Sequence, residues 1–300
     1  MKVVIAGGTG FLGQALARRL VDDAHDVVIL TRDSTRARPD IAGRPVSWDP
    51  TAAGGAWTAE IADADAIVNL AGAGIADRRW SDDRKAELRE SRISSTRRLV
   101  TAVREAARRP AVFLQASAIG FYGTDDSGRE IDESFPPGDD FLARLCVAWE
   151  AEAHPAAALG CRLVILRNGV VLAPDGGAGR KLRLPFKLFV GGPVASGRQY
   201  VSWIHRDDWV AMALWALTSS DVSGVINATS PNAATNDELS RAIARALHRP
   251  SWLRVPGVAL RTIFGEMAGP TLIHGPRVVP RRALDLGFTF VRPELEEGVR

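Results

Sequence analysis

The first residues of the chain constrain its fold most strongly. A short apolar run at Val3–Ala6 leads directly into Gly7, Gly10 and Gly13, and a helical pattern covers Phe11–Val21. A strand, a Gly-x-x-Gly-x-x-Gly loop and a helix in this order are typical of dinucleotide-binding folds. The glycines allow a tight turn, close approach of a pyrophosphate and close packing of the helix on the strand, and the helix N-terminus favours anionic phosphates. An ordinary glycine-rich turn is the alternative, and the flanking strand and helix favour the phosphate site.

Short β-type runs alternate with helical patterns along the rest of the chain. After the first strand, further strands are predicted at Val27–Leu30, Val46–Trp48, Ala66–Leu70, Val112–Ala116, Leu163–Leu166 and Gly224–Ala228. Helices are predicted around Ile93–Val103, after an N-cap at Ser81, and at Phe141–Ala158, Asp207–Leu217 and Leu239–Leu247. Because the strands are almost entirely apolar, they suit burial on both faces of a parallel sheet. The pattern therefore predicts an α/β fold with a doubly wound parallel sheet.

The texture of the sequence changes after residue 168. Residues 169–200 are rich in glycine and proline, which predicts a loop-rich segment lying over a site. From Pro250 onward the pattern is short and interrupted by prolines. We therefore predict a nucleotide-binding domain at 1–168 and 201–230, with a smaller C-terminal α/β substrate-side domain at 169–200 and 231–300.

Composition argues against several classes of protein. Hydrophobic residues make up 46% of the chain and charged residues 24%, which is the balance of a globular protein. The net charge of +3 is small, and the arginines of residues 78–98 alternate with acids, so no nucleic-acid partner is expected. No apolar run approaches the roughly 18 residues of a membrane helix, so no membrane association is expected. Cys146 and Cys161 fit no metal motif, so no metal site is expected. Two isolated cysteines predict reduced thiols in a cytoplasmic protein. A monomer or a homodimer is expected.

The residue that follows the second strand bears on the choice of dinucleotide. NAD-binding folds place an acidic residue here to bind the ribose hydroxyls, whereas arginine suits a 2′-phosphate. Arg32 stands at this position, 19 residues after Gly13. The sequence therefore predicts NADP rather than NAD. The alternative is a solvated Arg32 with Asp33 binding the ribose.

Further motifs follow one another in a characteristic order. They are Asn69–Gly72, Arg79-Trp80, Ser91–Ile93, Ser117–Gly123, Arg167–Gly169 and Trp203–Asp208, then Gly265–Met267, Val278–Pro280 and Gly287-Phe288 near the C-terminus. Together they resemble the atypical extended short-chain dehydrogenases/reductases of the NAD-dependent epimerase/dehydratase superfamily, in the branch called the epimerase family. The resemblance covers nearly the whole chain. It implies a Rossmann domain of about seven strands, with the cofactor across the carboxyl ends of the strands.

The resemblance also implies cofactor contacts at particular positions. By position, Thr9, Phe11 and Leu12 line the pyrophosphate, Asp49 meets the adenine, Leu70, Ala71 and Gly72 contact the adenosine side, and Ser117 approaches the nicotinamide. Each of the less specific positions has an alternative. Leu70 and Ala71 are also consistent with the apolar end of a strand, and Asp49 with a turn residue before Pro50.

The proton relay that most members of this superfamily use is missing. That relay is a tyrosine with a lysine four residues later, which stack on one helix face. Neither tyrosine of the chain, Tyr122 or Tyr200, has this lysine. If Glu150 aligns with the glutamate that ends the helix motif, Leu142 and Cys146 occupy the tyrosine and lysine places. Neither residue can do the acid–base work.

Other side chains are therefore the catalytic candidates. Ser117 and Tyr122 are predicted to be catalytic, and Arg92, Cys146 and Glu150 are further candidates for the acid because of their neighbourhood. The alternatives are a loop aromatic packed under the sheet end for Tyr122, and a small buried apolar residue for Cys146. In the resemblance, Arg92 replaces an asparagine of many relatives.

Two arginines are predicted to bind the substrate, because guanidinium groups bind anions well. They are Arg92 and Arg198. The leading functional hypothesis is an NADP-dependent oxidoreductase or epimerase-like enzyme acting on a small polar substrate. The alternative is a catalytically silent NADP(H)-binding sensor or scaffold.

Overall fold

A computed structural model describes residues 1–35, 40–52 and 54–300. Within them the strands are β1 (Lys2–Ala6), β2 (Asp26–Thr31), β3 (Arg44–Ser47), β4 (Ala66–Asn69), β5 (Val112–Ala118), β6 (Glu130–Ile131), β7 (Arg162–Asn168), β8 (Val170–Ala173), β9 (Tyr200–Val201), β10 (Trp203–His205), β11 (Gly224–Ala228), β12 (Ala234–Thr235) and β13 (Arg277–Val278). The α-helices are α1 (Phe11–Asp22), α2 (Trp57–Ala62), α3 (Asp82–Glu105), α4 (Phe141–Ala153), α5 (Pro155–Ala158), α6 (Gly177–Lys187), α7 (Arg206–Thr218), α8 (Asn236–Leu247), α9 (Gly257–Phe264), α10 (Arg281–Asp285) and α11 (Leu295–Gly298). Short turns of other helix types lie at Ile119–Tyr122, Gly265–Met267 and Gly269–Ile273.

The described residues form a seven-stranded parallel sheet in the order β11-β7-β5-β4-β1-β2-β3. The seven predicted strands are the seven strands of this sheet, with ends that shift by at most two residues. Since β1 pairs with both β2 and β4, the chain winds outward first on one side and then on the other. The predicted doubly wound α/β fold is confirmed. A fold of this kind binds its ligands at the carboxyl ends of the strands, where the winding direction reverses.

Two apolar layers cover the two faces of the sheet. Side chains of β1 alternate between them, since successive residues of a strand point to opposite faces. Val3 and Ile5 pack with α1 and α7, whereas Val4 and Ala6 pack with α2 and α3. The side chains of these four β1 residues are completely buried. The sheet is therefore a rigid platform for the residues at its carboxyl edge.

Two helix predictions need correction. The helix expected at Phe141–Ala158 divides into α4 and α5, because Pro155 has no N–H to continue the hydrogen bonding and begins a new turn. The segment 169–200 was expected to be loop-rich, but it contains β8 and the helix α6. This helix forms despite Pro185 because Leu182 and Phe186 pack into an apolar cluster with α8. The predicted N-cap at Ser81 of α3 is confirmed, and α8 begins with a capping box of Thr235 and Glu238.

The C-terminal residues are joined to the rest of the chain by buried polar contacts. β13 pairs with β6, and the Ser202 hydroxyl donates to the Pro276 carbonyl over 2.7 Å. The Asp208 carboxylate, which is fully buried at the start of α7, accepts from the N–H groups of Val291 and Arg292. These contacts fix the C-terminal segment beside the sheet edge. The domain boundaries proposed from the sequence stay a prediction.

Candidate functional site

The glycine loop has one side closed by packing and another that is open. Gly7 has a φ of +79°, and a Cβ there would stand 2.7 Å from the Leu70 carbonyl carbon. A Cβ on Gly13 would overlap the Gly7 carbonyl oxygen. By contrast, a Cβ on Gly10 would meet only the Gly7 oxygen, at 3.2 Å, and Gly10 caps α1 with no side-chain hydrogen bond. The N-terminus of α1 is thus accessible to a ligand from the side of Thr9 and Gly10, both of which are exposed.

The next two residues of the loop face other parts of the chain. The Phe11 ring lies against Gly176 and Gly177, where any Cβ would approach it within 2.7 Å. The Arg206 guanidinium lies 5.6 Å from the same ring. Leu12 packs on the apolar layer below. The glycine-rich start of α6 therefore lies directly beside the loop.

The ends of β2 and β3 carry the predicted adenosine contacts. Arg32 is exposed immediately after β2. The Asp49 carboxylate accepts from both the N–H and the hydroxyl of Thr51, at 2.8 and 2.7 Å, and the hydroxyl bond, then the backbone bond, lowers the pKa of Asp49. Asp49 therefore forms the turn that was predicted as its alternative role. Its contact with adenine stays a prediction.

The end of β4 packs on α3. The Asn69 amide donates to the Thr96 hydroxyl and to the Gln115 side chain, at 2.8 and 2.9 Å, and its oxygen accepts from the Ala71 N–H. Gly72 is exposed, and a Cβ there would stand 3.0 Å from the Arg92 guanidinium carbon. Leu70, Ala71 and Gly72 thus lie between the glycine loop and the middle of α3.

One face of α4 lies along the end of β5. A Cβ on Gly120 would stand 3.1 Å from the Cβ of Leu142, and the Cys146 thiol lies 3.7 Å from the Ala118 carbonyl oxygen. One turn further, the Ser117 hydroxyl donates to Glu150 Oε1 over 2.6 Å. Because these three α4 residues are spaced by four, they form one helix face toward the strand end. This face carries no tyrosine and no lysine.

A buried network replaces the missing pair. Arg167 on β7 donates to both Glu150 oxygens at 2.9 Å and to the Tyr122 hydroxyl at 3.0 Å, and that hydroxyl donates to Asn227 Oδ1 over 2.7 Å. Ser117, Tyr122, Glu150, Arg167 and Asn227 are each no more than 6% exposed. The structure therefore brings Ser117 and Tyr122, the two predicted catalytic residues, into one network.

Burial makes the Tyr122 hydroxyl a weak acid, and its partners in the network oppose this effect. Burial raises the pKa of Tyr122 to about 12, although the charge and the hydrogen bond of Arg167 lower it. Burial lowers the pKa of Arg167, but its hydrogen bonds to Glu150 outweigh this and the pKa is raised. Arg167 therefore stays charged next to a neutral phenol. The phenol accepts from Arg167 and donates to Asn227, so it helps to hold Arg167 in position.

Sequence reasoning did not assign roles to two members of this network, Arg167 and Asn227. Glu150 is one of the candidate acids, and Arg167 appears only within a family motif. The available signal was a charged residue at the end of an otherwise apolar strand, since Arg167 follows Leu163–Leu166. A buried arginine is usually paired with an acid, but the sequence does not show which acid pairs with Arg167.

The remaining candidates differ in their surroundings. Burial raises the pKa of the Cys146 thiol to about 12, which agrees with the interpretation as a small buried residue. Arg92 is 8% exposed and lies beside Gly72 and the Trp149 ring. Arg198 is exposed in the turn before β9, and no contact among the described residues joins it to Arg92 or Ser117. The structure does not bring the two predicted substrate-binding arginines together.

A parallel sheet with a glycine loop at the point where its winding reverses defines a nucleotide-binding α/β protein of the Rossmann type. Residues 3–228 match the model of the NAD dependent epimerase/dehydratase family, and residues 255–300 match a domain of unknown function, DUF1731. The chain belongs to the NAD-dependent epimerase/dehydratase family, as the sequence motifs indicated.

Similar proteins span almost the full length of the chain. Epimerase family protein Mb2239 of Mycobacterium bovis is 40% identical over 299 residues, which cover 99% of this chain and 96% of that protein. The chloroplastic SDR39U1 homolog of Arabidopsis thaliana is 39% identical, covering 100% of this chain and 86% of that protein. The crystal structure of human epimerase family protein SDR39U1 with NADPH has a TM-score of 0.88 at 33% identity, covering 100% and 98% of the two chains.

Further findings concern membrane-spanning helices, metal sites and the cysteines. No helix in the described ranges is long and apolar enough to cross a membrane. Among the same residues, no group of three or more histidine, cysteine or acidic side chains is arranged to hold a metal ion. Both cysteines are buried and free. Because one relative is chloroplastic, the cytoplasmic location stays a prediction.

Proposed function

We propose that the protein binds NADPH and uses it in an oxidoreductase or epimerase-type reaction on a small polar substrate, without a tyrosine–lysine relay. The observation that carries the proposal concerns two strands of one parallel sheet. The open N-terminus of α1 follows β1, and Ser117, which bonds to Glu150, lies at the end of β5. The carboxyl ends of such strands meet at one edge. The similar human protein crystallised with NADPH supports the choice of cofactor.

The residues at this edge fit a dinucleotide phosphate. The α1 N-terminus can donate backbone N–H groups to the pyrophosphate, and the exposed Arg32 can pair with a 2′-phosphate. In this proposal the dinucleotide contacts are Gly7, Thr9, Gly10, Phe11, Leu12, Gly13, Arg32, Asp49, Leu70, Ala71, Gly72 and Ser117. NADPH supplies a hydride when it is bound. NAD would leave Arg32 without its phosphate.

Ser117 is the proposed catalytic residue. Its hydroxyl proton is held by Glu150, so the oxygen lone pairs are oriented away from that carboxylate and can accept a hydrogen bond from a substrate hydroxyl. A proton that reaches the serine oxygen can be matched by one passing to Glu150, which Arg167 holds in place. Tyr122 acts through Arg167 in this proposal, since its own hydroxyl is already bonded on both sides. It is therefore a positioning residue.

Matched serine variants test the proposed chemistry. We expect Ser117→Ala to keep most of its NADPH affinity, since the other proposed dinucleotide contacts remain, and to lose turnover on whichever carbonyl compound in a panel the wild type reduces. Ser223→Ala removes an exposed hydroxyl and serves as the control. Turnover is followed by the loss of NADPH absorbance, and binding by NADPH fluorescence. Full turnover by Ser117→Ala would exclude the serine route, and preference for NADH would exclude the role of Arg32.

A second candidate function is a catalytically silent NADPH sensor or scaffold. The observation that favours it is the α4 face itself, where Leu142 and the un-ionised Cys146 thiol lie at the strand end. Tight NADPH binding with no turnover of any compound in the panel would identify this function.

A further inference from the structure

Arg92 is a buried cation that lacks an anionic partner among the described residues. Its side chain is 8% exposed, and its one hydrogen bond goes to the Leu88 carbonyl oxygen over 3.0 Å, within its own helix. Its guanidinium lies 5.0 Å from the centre of the Trp149 ring. The Nε and Nη2 atoms, which carry three of the five N–H groups of the guanidinium, make no hydrogen bond among the described residues. They are not among the fully enclosed unpaired polar atoms, so these two nitrogens keep contact with solvent.

The groups around Arg92 do not neutralise it. Burial lowers the pKa of Arg92 to about 10, the Cys146 thiol opposes that shift and Arg84 adds to it. Arg84, about two helical turns earlier on α3, is itself a cation that pairs with Glu87. Arg92 is therefore still charged at neutral pH. By comparison, the buried Arg167 has the complete carboxylate of Glu150.

A buried charge without a partner lowers the stability of the folded protein. A site of this kind is favourable when a ligand brings the missing charge. Gly72 leaves the guanidinium uncovered, because any side chain at that position would contact it within about 3.0 Å. Gly72 follows β4, so the uncovered face lies at the same sheet edge as the glycine loop.

We propose that Arg92 binds an anionic group of the substrate, a carboxylate or a phosphate, so that the substrate is a small organic acid or a phosphorylated metabolite. The proposal rests on the proposed function and adds the substrate class. A guanidinium binds both groups with two parallel hydrogen bonds. The Arg92 guanidinium lies over the Trp149 ring of α4, and Ser117 bonds to the next residue of that helix, Glu150. Both groups thus contact the same part of α4, which suits a small compound held at one end by Arg92 and reacting near Ser117.

Anion titration of the NADPH-saturated protein tests the proposal. The probes are acetate and inorganic phosphate, measured by calorimetry with wild type, Arg92→Met and the control Arg89→Met, which removes an exposed charge from the same helix. We expect wild type and Arg89→Met to bind at least one anion, and Arg92→Met to bind it at least about tenfold more weakly. The affinity of all three for NADPH itself stays within about twofold.

Three results would overturn the proposal. One is that neither anion binds to the wild type. Another is that Arg92→Met binds the anions as well as the wild type does. The third is that Arg92→Met weakens NADPH itself by about tenfold, which would assign the arginine to the pyrophosphate. Normal NADPH binding with no anion effect would leave the cofactor part of the proposed function intact.

Stability separates a ligand-binding role from a structural one. Because the ligand-free protein holds this charge uncompensated, we expect Arg92→Met to have an unchanged or higher melting temperature without ligands. A structural arginine would instead give a clearly lower melting temperature, and that result would contradict the proposal. Arg92→Lys keeps the charge but loses the planar fork, and should bind the anion with intermediate affinity.

Discussion

At the scale of single residues, the ion pair between Glu150 and Arg167 organises the candidate catalytic edge. Both side chains are at most 6% exposed, and each Glu150 oxygen accepts from Arg167 at 2.9 Å. Ser117 donates to Glu150, and Arg167 donates to Tyr122. A buried pair of this kind need not be more stable than an apolar one, but breaking it leaves a charge alone.

The variant Glu150→Gln tests this consequence. We expect the free energy of unfolding to fall by about 3 kcal/mol, because Arg167 keeps its buried charge without a carboxylate. The control is Glu152→Gln on the same helix, whose partner Arg97 is 60% exposed, and its cost should stay below about 1 kcal/mol. Urea denaturation measures both. Equal losses for the two variants would contradict the importance of burial.

The glycine loop gives a second prediction at this scale. Gly10 has a φ of −78° and ψ of 174°, which alanine adopts readily, and its Cβ would meet only one atom of the protein. Gly10→Ala should therefore keep the melting temperature and weaken NADPH about tenfold or more, since the methyl group occupies the path of the phosphates. Gly7→Ala should lose both stability and binding, because of its φ of +79° and the Leu70 carbonyl. Wild-type NADPH affinity in Gly10→Ala would show that the pyrophosphate lies elsewhere.

At the scale of elements, α2 joins two strands through Glu60. The Glu60 carboxylate pairs with Lys2 on β1 at 2.9 Å and with Arg44 on β3 at 2.8 Å. The hydrogen bond from Arg44, then those from Lys2, outweigh burial and lower the pKa of Glu60 from 4.5 to about 2. A carboxyl group with a lowered pKa stabilises the fold above its unfolded pKa, and this contribution is lost as the pH falls through the folded pKa.

Glu60→Gln should show that pH dependence. At neutral pH we expect a loss of about 1 kcal/mol in the free energy of unfolding, since the 54% exposure of Arg44 screens the pair. The difference between wild type and variant should shrink as the pH falls from 4.5 toward 2, where the wild-type carboxyl gains its proton. Urea titrations over this range measure it. A difference that persists at the acidic end would indicate a packing effect instead of an electrostatic one.

The elements that could be predicted form because of residues within the element itself. Those that could not be predicted depend on contacts with residues far away in the sequence. The seven strands were found because each is a short apolar run whose signal lies within the run itself. α6 was not found, because Gly176, Gly179 and Pro185 resemble a loop, and the packing of Phe186 with α8 that stabilises the helix is a distant contact. The break at Pro155 was visible in the sequence, but the apolar pattern on either side of it was continuous.

The same reasoning applies to the candidate site. The glycine loop was predictable because its backbone requirements fall within seven residues, from Gly7 to Gly13. The network was not, since Tyr122 and Asn227 are far apart in sequence and meet only through the order of the strands. The absence of the tyrosine–lysine pair could be predicted from the sequence, but not what replaces it.

At the scale of the whole molecule, the C-terminal residues form hydrogen bonds with the buried network of Arg167 and Tyr122 through Asn227. The Asn227 amide that accepts from Tyr122 also donates to the Val279 carbonyl oxygen over 3.0 Å. A second contact lies at α3, where Lys85 pairs with Glu266 at 2.6 Å. The residues that match the second family model, 255–300, therefore reach both α3 and the sheet edge.

Removal of residues 255–300 should destabilise the sheet as well. Asn227 and Ser202 would each lose a buried partner, at a cost of about 1–3 kcal/mol each. We expect the free energy of unfolding to fall by about 2–6 kcal/mol, with weaker NADPH binding, and a single unfolding transition for the full chain. Deletion of the exposed Arg300 alone is the control. Wild-type stability in the truncated protein would show that the two parts are independent.

The burial of both cysteines has a practical consequence for chemical labelling. Cys146 and Cys161 are each 4% exposed, and burial raises the pKa of both thiols. Because thiol reagents attack the thiolate, maleimide dyes should react slowly with the folded native chain and quickly after unfolding. A cysteine introduced at Val258, which is 77% exposed on α9, should therefore accept a single dye without removal of the native cysteines. Mass spectrometry of the labelled Val258→Cys protein would verify this, and fluorescence from that dye would then report how the C-terminal residues respond to NADPH.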